Sequence, residues 1–351
     1  MRPKIGLVGT GQTVGIAHFH ALGILDDGRA DIAAVYDLNK EGAQTFLKEH
    51  GIDNAVVCDS YEELLGRVDA VDICTPNFTH LQYVLDAIEA DKTVFVEKPL
   101  SLSGKESQKA VDSLKGKNLF NMVGFVYRYV NGIQKLREMI QNEIGAVYTY
   151  SASFGGMRLA NPQNPLEWRM IRRLSGAGAL GDFGSHLIDN ASFLANLKFE
   201  SVQCISATNI PERPANRDGV TNVENDDQSV FIAKTAENVL GSFTVSRIGM
   251  DGINILVAGE GGLARISLNT PEKIWYKPAV HGVYQDEEKV IEVPYQTPFD
   301  GWFVSEMKAF VDGLLGSNDA VPDIEQGHYV EAVIDAAEVA SQQAQILVEG
   351  V

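Results

Sequence analysis

Lys4-Ile5-Gly6-Leu7-Val8-Gly9-Thr10-Gly11-Gln12-Thr13-Val14-Gly15 reads as a short buried strand that breaks into a glycine-rich turn and then a helix. Glycines at such a turn let backbone N–H groups approach a phosphate at the helix N-terminus, where the aligned peptide dipoles favour negative charge. The usual spacing is G-x-G-x-x-G, and this chain has one extra residue before the third glycine. Gly9, Gly11, Gln12, Thr13 and Val14 are therefore the residues expected to face a dinucleotide pyrophosphate.

Working outward, the pattern repeats to about Val123. Apolar runs at Asp31–Tyr36, Ala55–Val57, Ala70–Cys74, Thr93–Val96 and Phe120–Gly124 alternate with helical stretches near Ile16–Leu25, Lys40–His50, Glu62–Leu65, Thr79–Ala90 and Gly104–Leu114. Strands alternating with helices at this spacing predict an α/β fold with a doubly wound parallel sheet. Its ligand belongs at the carboxyl ends of the strands. Asp37 ends the second strand, where a carboxylate accepts bonds from ribose hydroxyls and repels a 2′-phosphate, so the expected cofactor is NAD rather than NADP. Thr75-Pro76-Asn77 follows the fourth strand, with His80 beyond it, and Glu97-Lys98-Pro99 follows the fifth. Both turns fall at the crevice.

After Val123 the texture changes. A helix (Gly132–Asn142) and an alternating strand (Ala146–Phe154) lead to a glycine-rich run and a helix over Ala179–Asn196. Strands follow with short turns: Ser201–Thr208, Gln228–Thr235, Val239–Ser246, Asn254–Gly259, Ala264–Leu268, Lys273–Tyr276 and Lys289–Val293. Such a succession predicts a large, mostly antiparallel open sheet in an α+β domain. Two amphipathic helices, Trp302–Leu315 and Gln326–Ala344, close the chain. The expected units are residues 1–123 and 124–351, with the last helices packing back on the first unit. At 351 residues the chain is long enough for two domains of about 150 each.

Composition excludes several classes. Lys plus Arg number 29 against 47 Asp plus Glu, a net charge of −18, and both halves are acidic (−6 and −12 on either side of Val123). Nucleic acid and anionic lipid bind through Lys and Arg, so neither is an expected partner. No run approaches the ~18 apolar residues of a membrane span, and no leader precedes the first strand, so a cytoplasmic setting is expected. The three cysteines (Cys58, Cys74, Cys204) lack disulfide or zinc spacing. His18 and His20 have no third ligand at metal spacing, so no metal is expected.

Taken together, these segments resemble the Gfo/Idh/MocA family, the glucose–fructose oxidoreductase and inositol dehydrogenase group. The resemblance rests on the glycine turn with His18 and Leu22, on Val68–Asn77 with His80, and on Glu97-Lys98-Pro99. It continues through Gly124-Phe125 with Arg128, Gly145, Gly176–His186 with Asp189, and Glu306 with Phe310. It implies an N-terminal Rossmann domain, a C-terminal α+β domain whose open sheet forms subunit contacts, and NAD(P)-linked chemistry at a secondary alcohol of a sugar or cyclitol. By motif match, Thr75, Pro76, Asn77, His80, Glu97 and Lys98 line the nicotinamide side, while Lys98, Asp182 and His186 meet the substrate.

Physical chemistry points the same way. Asp182 and His186 are spaced i, i+4 and share a helix face with Asp189, and a carboxylate beside an imidazole fixes its tautomer and raises its basicity. The glycines at 176, 178, 181 and 184 are poor for a helix and suggest close approach to a ligand. Arg128, Trp168 and Arg169 are further candidates for substrate contact, and Arg158–Arg173 and Ile210–Asn225 are the loops expected to select it. The reading is an NAD-dependent oxidoreductase for a neutral polyhydroxylated substrate, with Lys98 and His186 as acid/base groups and Asp182 orienting the imidazole, working as a homo-oligomer (dimer or tetramer). Alternatives are an enzyme that retains NAD and oxidises a sugar transiently before elimination or glycoside cleavage, a carbonyl reductase, or a dinucleotide-sensing regulator without catalysis.

Overall fold

The apolar runs of the first third all pair in parallel. β1 (Lys4–Val8), β2 (Asp31–Tyr36), β3 (Val56–Val57), β4 (Ala70–Ile73), β5 (Thr93–Glu97) and β6 (Asn121–Gly124) form one sheet in the order β3-β2-β1-β4-β5-β6. The computed structural model describes residues 2–11, 15–215, 219–285, 287–317 and 319–343. Gln12, Thr13 and Val14, expected at the phosphate turn, lie outside the described residues. Five helices link the strands: α1 (Ile16–Asp27), α2 (Lys40–Glu49), α3 (Tyr61–Leu65), α4 (Asn77–Glu89) and α5 (Gly104–Ser113). Three of them start where the sequence supplies an N-cap, with Asn39, Ser60 and Ser103 accepting from the amides of Gly42, Glu63 and Glu106. Strand order reverses between β1 and β4, and this switch point opens the crevice in which such sheets bind ligands.

The second half builds around a nine-stranded sheet. After α6 (Asn131–Met139) come β7 (Val147–Gly156), α7 (Arg172–Ser175), α8 (Ser185–Ala195) and β8 (Phe199–Ala207). A small ribbon, β9 (Glu212–Pro214) with β10 (Val220–Asn222), precedes the remaining strands. These are β11 (Gln228–Thr235), β12 (Leu240–Ser246), β13 (Gly249–Gly259), β14 (Gly262–Ser267), β15 (Lys273–Val280), β16 (Val283–Tyr284) and β17 (Lys289–Glu292). The order is β16-β15-β14-β13-β7-β12-β11-β8, with β17 on β15. Every pair is antiparallel except β7 with β12. Along β11, Ser229, Phe231 and Ala233 are buried while Val230 and Ile232 are exposed, the alternation of a sheet covered on one face. Helices cover the buried face, α8 packing on β7 and α10 on β8.

The chain ends with α9 (Asp300–Leu314) and α10 (Ile324–Ser341). Met307, Phe310 and Val311 of α9 enter one apolar cluster with Ile5, Ile24, Phe95 and Met122, and α10 packs on α5. The last helices thus return to the first sheet. Among the described residues no helix is long and apolar enough to cross a membrane.

Candidate active site

At the carboxyl end of β1, Gly9 has φ +88, and a Cβ there would lie 2.6 Å from Thr75 Cγ2, so only glycine permits the close approach of the two turns. Gly11 faces Asp37 in the same way, a Cβ meeting Asp37 Oδ2 at 2.9 Å. Asp37 Oδ1 accepts the Asn39 amide at 2.7 Å, which orients the carboxylate at the strand end. A cavity of about 440 Å³ lies here, lined by Gly9, Gly11, Asp37, Thr75, Pro76 and Tyr83. Bare backbone at the turn and a fixed carboxylate at the next strand end suit a dinucleotide's phosphates and ribose. The residues fit the group.

Thr75 also lines a second cavity, of about 520 Å³, whose walls include Asn77, Lys98, Trp168, Arg169 and Asp182. Here the two halves of the chain meet. Lys98 leaves the end of β5, and its Nζ donates to Asp182 Oδ1 at 2.6 Å and to the Asp182 carbonyl at 3.2 Å. Loss of solvent works against ionisation of Asp182, yet Lys98 and then Arg169 hold its carboxyl well below the usual range. Asn77 Nδ2 donates to the Ser175 carbonyl at 3.2 Å, tying α4 to α7. His80 is buried, its ring nitrogens against the carbonyl oxygens of Pro99 (2.7 Å) and Thr75 (2.6 Å). It braces the two turns.

Asp182 lies in a π-helical turn over Leu180–Gly184 that runs into α8. A π turn bonds i to i+5, so the i, i+4 alignment expected of Asp182 with His186 is broken. The carboxylate turns to Lys98, and His186 Nδ1 is buried without a hydrogen-bond partner. The expectation that Asp182 orients the imidazole by a direct bond is thus corrected. The ring packs against Tyr127, centroids 4.6 Å apart, and Phe154 at 6.0 Å. Burial and then the Lys98 charge hold its basicity well below the ordinary histidine value, although Asp182 opposes them. His186 is neutral at neutral pH.

The glycine-rich approach to this turn serves the protein's own packing. A Cβ on Gly178 would lie 2.0 Å from the Asp226 carbonyl oxygen, and the Asp226 carboxylate accepts the amides of Gly178 (2.7 Å) and Leu180 (2.9 Å). Asp226 therefore holds the start of the helix and requires Gly178, which also lines the Lys98 cavity. Arg128 is a second correction. It is buried with Asp189, Nε to Oδ2 at 2.7 Å, and does not line the Lys98 cavity. Once Asp189 is occupied by this guanidinium and by Gln326 at 3.0 Å, it too serves the interior.

Trp168 and Arg169 do line the cavity, the guanidinium carbon 4.4 Å from the indole centroid. Arg158 and Glu167, from the loop marked in the sequence for substrate selection, also line it, as does Arg247, which sequence reading missed. Arg158 pairs with Glu167 (2.6 Å), and Arg247 pairs with buried Asp227 (3.0 Å) and donates to Asn225 (2.9 Å). The partners of Arg247 are distant in sequence or sit in an irregular loop, and no periodicity marks it. His18 and His20 part company: exposed His18 bonds half-buried His50 at 2.9 Å, whereas His20 is wholly buried beside Asp72.

Two family profiles match the chain: an oxidoreductase family with an NAD-binding Rossmann fold over residues 3–125, and a GFO/IDH/MocA C-terminal domain over residues 133–265. Levoglucosan dehydrogenase of Pseudarthrobacter phenanthrenivorans is 30% identical over a match covering 61% of this chain and 58% of that protein. Glucose-6-phosphate 3-dehydrogenase of Bacillus subtilis is 31% identical, covering 59% and 58%. In both, the match thus spans little more than half of the relative. Inositol 2-dehydrogenase of Acidiphilium cryptum is 33% identical, with 76% and 74% covered. Among solved structures, levoglucosan dehydrogenase with NADH and levoglucosan superposes with a TM-score of 0.88 at 23% identity, covering 97% of each chain. That likeness shows the fold.

Proposed function

Because the chain belongs to the GFO/IDH/MocA oxidoreductase family, we propose that it oxidises a secondary hydroxyl of a sugar, glycoside or cyclitol to a ketone by hydride transfer to NAD. The observation that carries this reading is the placement of the Lys98–Asp182 pair. It stands in a cavity that shares Thr75 with the cavity beside Gly9, Gly11 and Asp37. Gly9, Gly11 and Asp37 would hold the phosphate and ribose part of a dinucleotide, and the adjoining cavity with Lys98 would take the remainder. Levoglucosan, inositol and glucose 6-phosphate, named for the relatives, are all polyhydroxylated rings.

NAD bound there supplies the hydride acceptor. The protein's task is then the hydroxyl proton, since an alcohol is a very weak acid and loses its proton only as the hydride departs; a positioned base contributes roughly 10²–10⁴-fold. Lys98, paired with Asp182, donates to the substrate oxygen and stabilises its growing negative charge. His186, which stands behind the cavity wall and whose burial near Lys98 favours the neutral ring, is the group assigned to accept the proton. Asp182 fixes Lys98 and, through its charge, favours the imidazolium that forms. Trp168 offers an apolar face to a sugar ring, and Arg158, Arg169 and Arg247 present donors to its other hydroxyls.

The open face of the large sheet, with exposed Tyr148, Ile205, Val230, Ile232 and Leu240, supports assembly into a dimer or tetramer. The three cysteines, all free and buried, suit a reducing compartment such as the cytoplasm. The experiment is a panel of sugars, inositols and glycosides assayed with NAD by NADH absorbance. Net NADH with at least one of them supports the reading. Turnover of a glycoside without net NADH favours the cycle in which NAD is retained, and binding of NAD with no turnover across the panel favours a sensor.

A further inference from the structure

Directly behind Lys98 lies a cluster of four ionisable side chains with almost no solvent. His20 of α1 and Asp72 of β4 are fully buried, as is Glu306 of α9, and Glu97 at the end of β5 is 8% exposed. His20 Nδ1 lies 3.0 Å from both Asp72 carboxylate oxygens, while its Nε2, which makes no hydrogen bond among the described residues, lies at ion-pair distance, 3.4 Å, from Glu97 Oε1. Cys74 Sγ completes the cage, 3.3 Å from Asp72 Oδ1 and 3.2 Å from His20 Nδ1. Donor atoms of His20, Glu97 and Glu306 all fall within 4.8 Å of one another. Neither oxygen of Glu306 has a hydrogen-bond partner among the described residues. Glu97 Oε2 accepts the backbone amide of Lys98 at 3.2 Å, and Gly124 makes room for this carboxyl, since a Cβ there would lie 2.5 Å from Glu97 Oε1.

We propose that His20 and Glu306 are positioning residues for Lys98: His20, at ion-pair distance from Glu97, and Glu306, packed against both, together set the place of the Glu97 carboxyl beneath the Lys98 amide. Three neighbouring carboxylates in a dry interior cannot all ionise, because each unpaired charge costs several kcal/mol. A histidine with both ring nitrogens facing carboxylates is satisfied only when both carry protons. His20 is faced by Asp72 and Cys74 from the β4 end, by Glu97 from β5 and by Glu306 from α9. Burial alone lowers its basicity, but Asp72 and Cys74 raise it well above the ordinary value. Glu306 is faced by Glu97, His20, Asp72, Asp189 and Tyr129; burial and then Glu97 push its carboxyl well above the usual range. The arrangement favours a proton on His20 and another on Glu306. Glu97 thus faces His20 with one oxygen, at 3.4 Å, and takes the Lys98 amide at the start of its stem with the other.

The role assigned to the cluster rests on the reading of Lys98 as the group that meets substrate, so its test has a part that does not depend on activity. In the wild-type protein at neutral pH, nitrogen-15 NMR of the imidazoles shows His20 with both ring nitrogens protonated. Infrared difference spectra against Glu306→Gln show the carbonyl band of a buried carboxylic acid. A neutral His20, an ionised Glu306, or one divalent metal ion per purified chain taking the place of the proton overturns the proposal with the reading of the cleft intact. In kinetics, His20→Gln and Glu306→Ala lower kcat/KM roughly 10- to 100-fold through misplacement of Lys98. NAD affinity stays close to wild type in both, and Glu306→Gln, which keeps the neutral shape, restores most of the loss. Unchanged kcat/KM in His20→Gln overturns the positioning role. Full activity in Lys98→Met removes the reading of the cleft itself, and the role of the cluster with it, whatever the spectra show.

Discussion

Lys98 Nζ lies 2.6 Å from Asp182 Oδ1, joining the end of a parallel strand in one half of the chain to the first turn of a buried helix in the other. The pair shapes its surroundings electrostatically: the ammonium keeps Asp182 ionised and helps keep His186 neutral. Removing the charge therefore has a sign that can be stated. In Lys98→Met the second cause of the lowered His186 basicity is gone, so the imidazole titrates at a higher pH than in wild type. Histidine-resolved NMR titration checks this; an unchanged midpoint contradicts the proximity of the two groups.

Asp37 is the residue proposed to set the coenzyme preference. Replacement by Ala removes the acceptor for ribose hydroxyls and the repulsion of a 2′-phosphate, so NAD binding weakens far more than NADP binding. Titration calorimetry with both coenzymes measures the ratio. Equal or better use of NADP by the wild type contradicts the assignment.

Arg128 separates structure from catalysis. Arg128→Met strands Asp189 in the interior, and breaking a buried pair in this way costs about 3–5 kcal/mol. Denaturant unfolding reports a loss of that size, while KM for substrate in the folded fraction stays within roughly threefold of wild type. A large rise in KM with little loss of stability returns Arg128 to the substrate site.

Glu331 makes stability depend on pH. It is buried, accepts from Ser101 N (2.5 Å) and Ser101 Oγ (2.8 Å), and burial raises its carboxyl to about 7 from an ordinary 4.5. A raised folded value means that the folded state binds the proton more tightly. The contribution to stability is therefore full below about 4.5 and is lost as pH rises through about 7, at most about 3 kcal/mol. Glu331→Gln, permanently neutral, flattens the fall in unfolding free energy between pH 5 and 8 by that amount. Parallel curves for the two proteins contradict it.

The first sheet was legible because its strands are local events: each apolar run is bounded by turn residues and followed by its own helix, and Asp31–Tyr36 is recovered residue for residue. Strands of the second sheet were legible as strands, Gln228–Thr235 to the residue. The parallel pairing of β7 with β12 was not, since nothing near Val147–Gly156 marks a partner 91 residues on. In the site, residue types at strand ends exposed Asp37, Thr75, Asn77 and Lys98. The Lys98–Asp182 contact and the burial of Arg128 are long-range outcomes of packing. The π turn at Leu180–Gly184 rotated Asp182 away from a partner that helical spacing had assigned to it. His20 looked like an ordinary helix residue because the acids around it come from β4, β5 and α9.

The most direct measurement is kcat/KM of Lys98→Met against wild type with the best substrate of the panel, together with the NAD dissociation constant of each. Loss of a positioned acid/base group predicts a fall in kcat/KM of roughly 10²–10⁴. The NAD dissociation constant changes by less than about tenfold, or ~1.4 kcal/mol, because Lys98 acts on the substrate. A Lys98→Met enzyme that retains near-wild-type kcat/KM would place the chemistry somewhere other than this cleft.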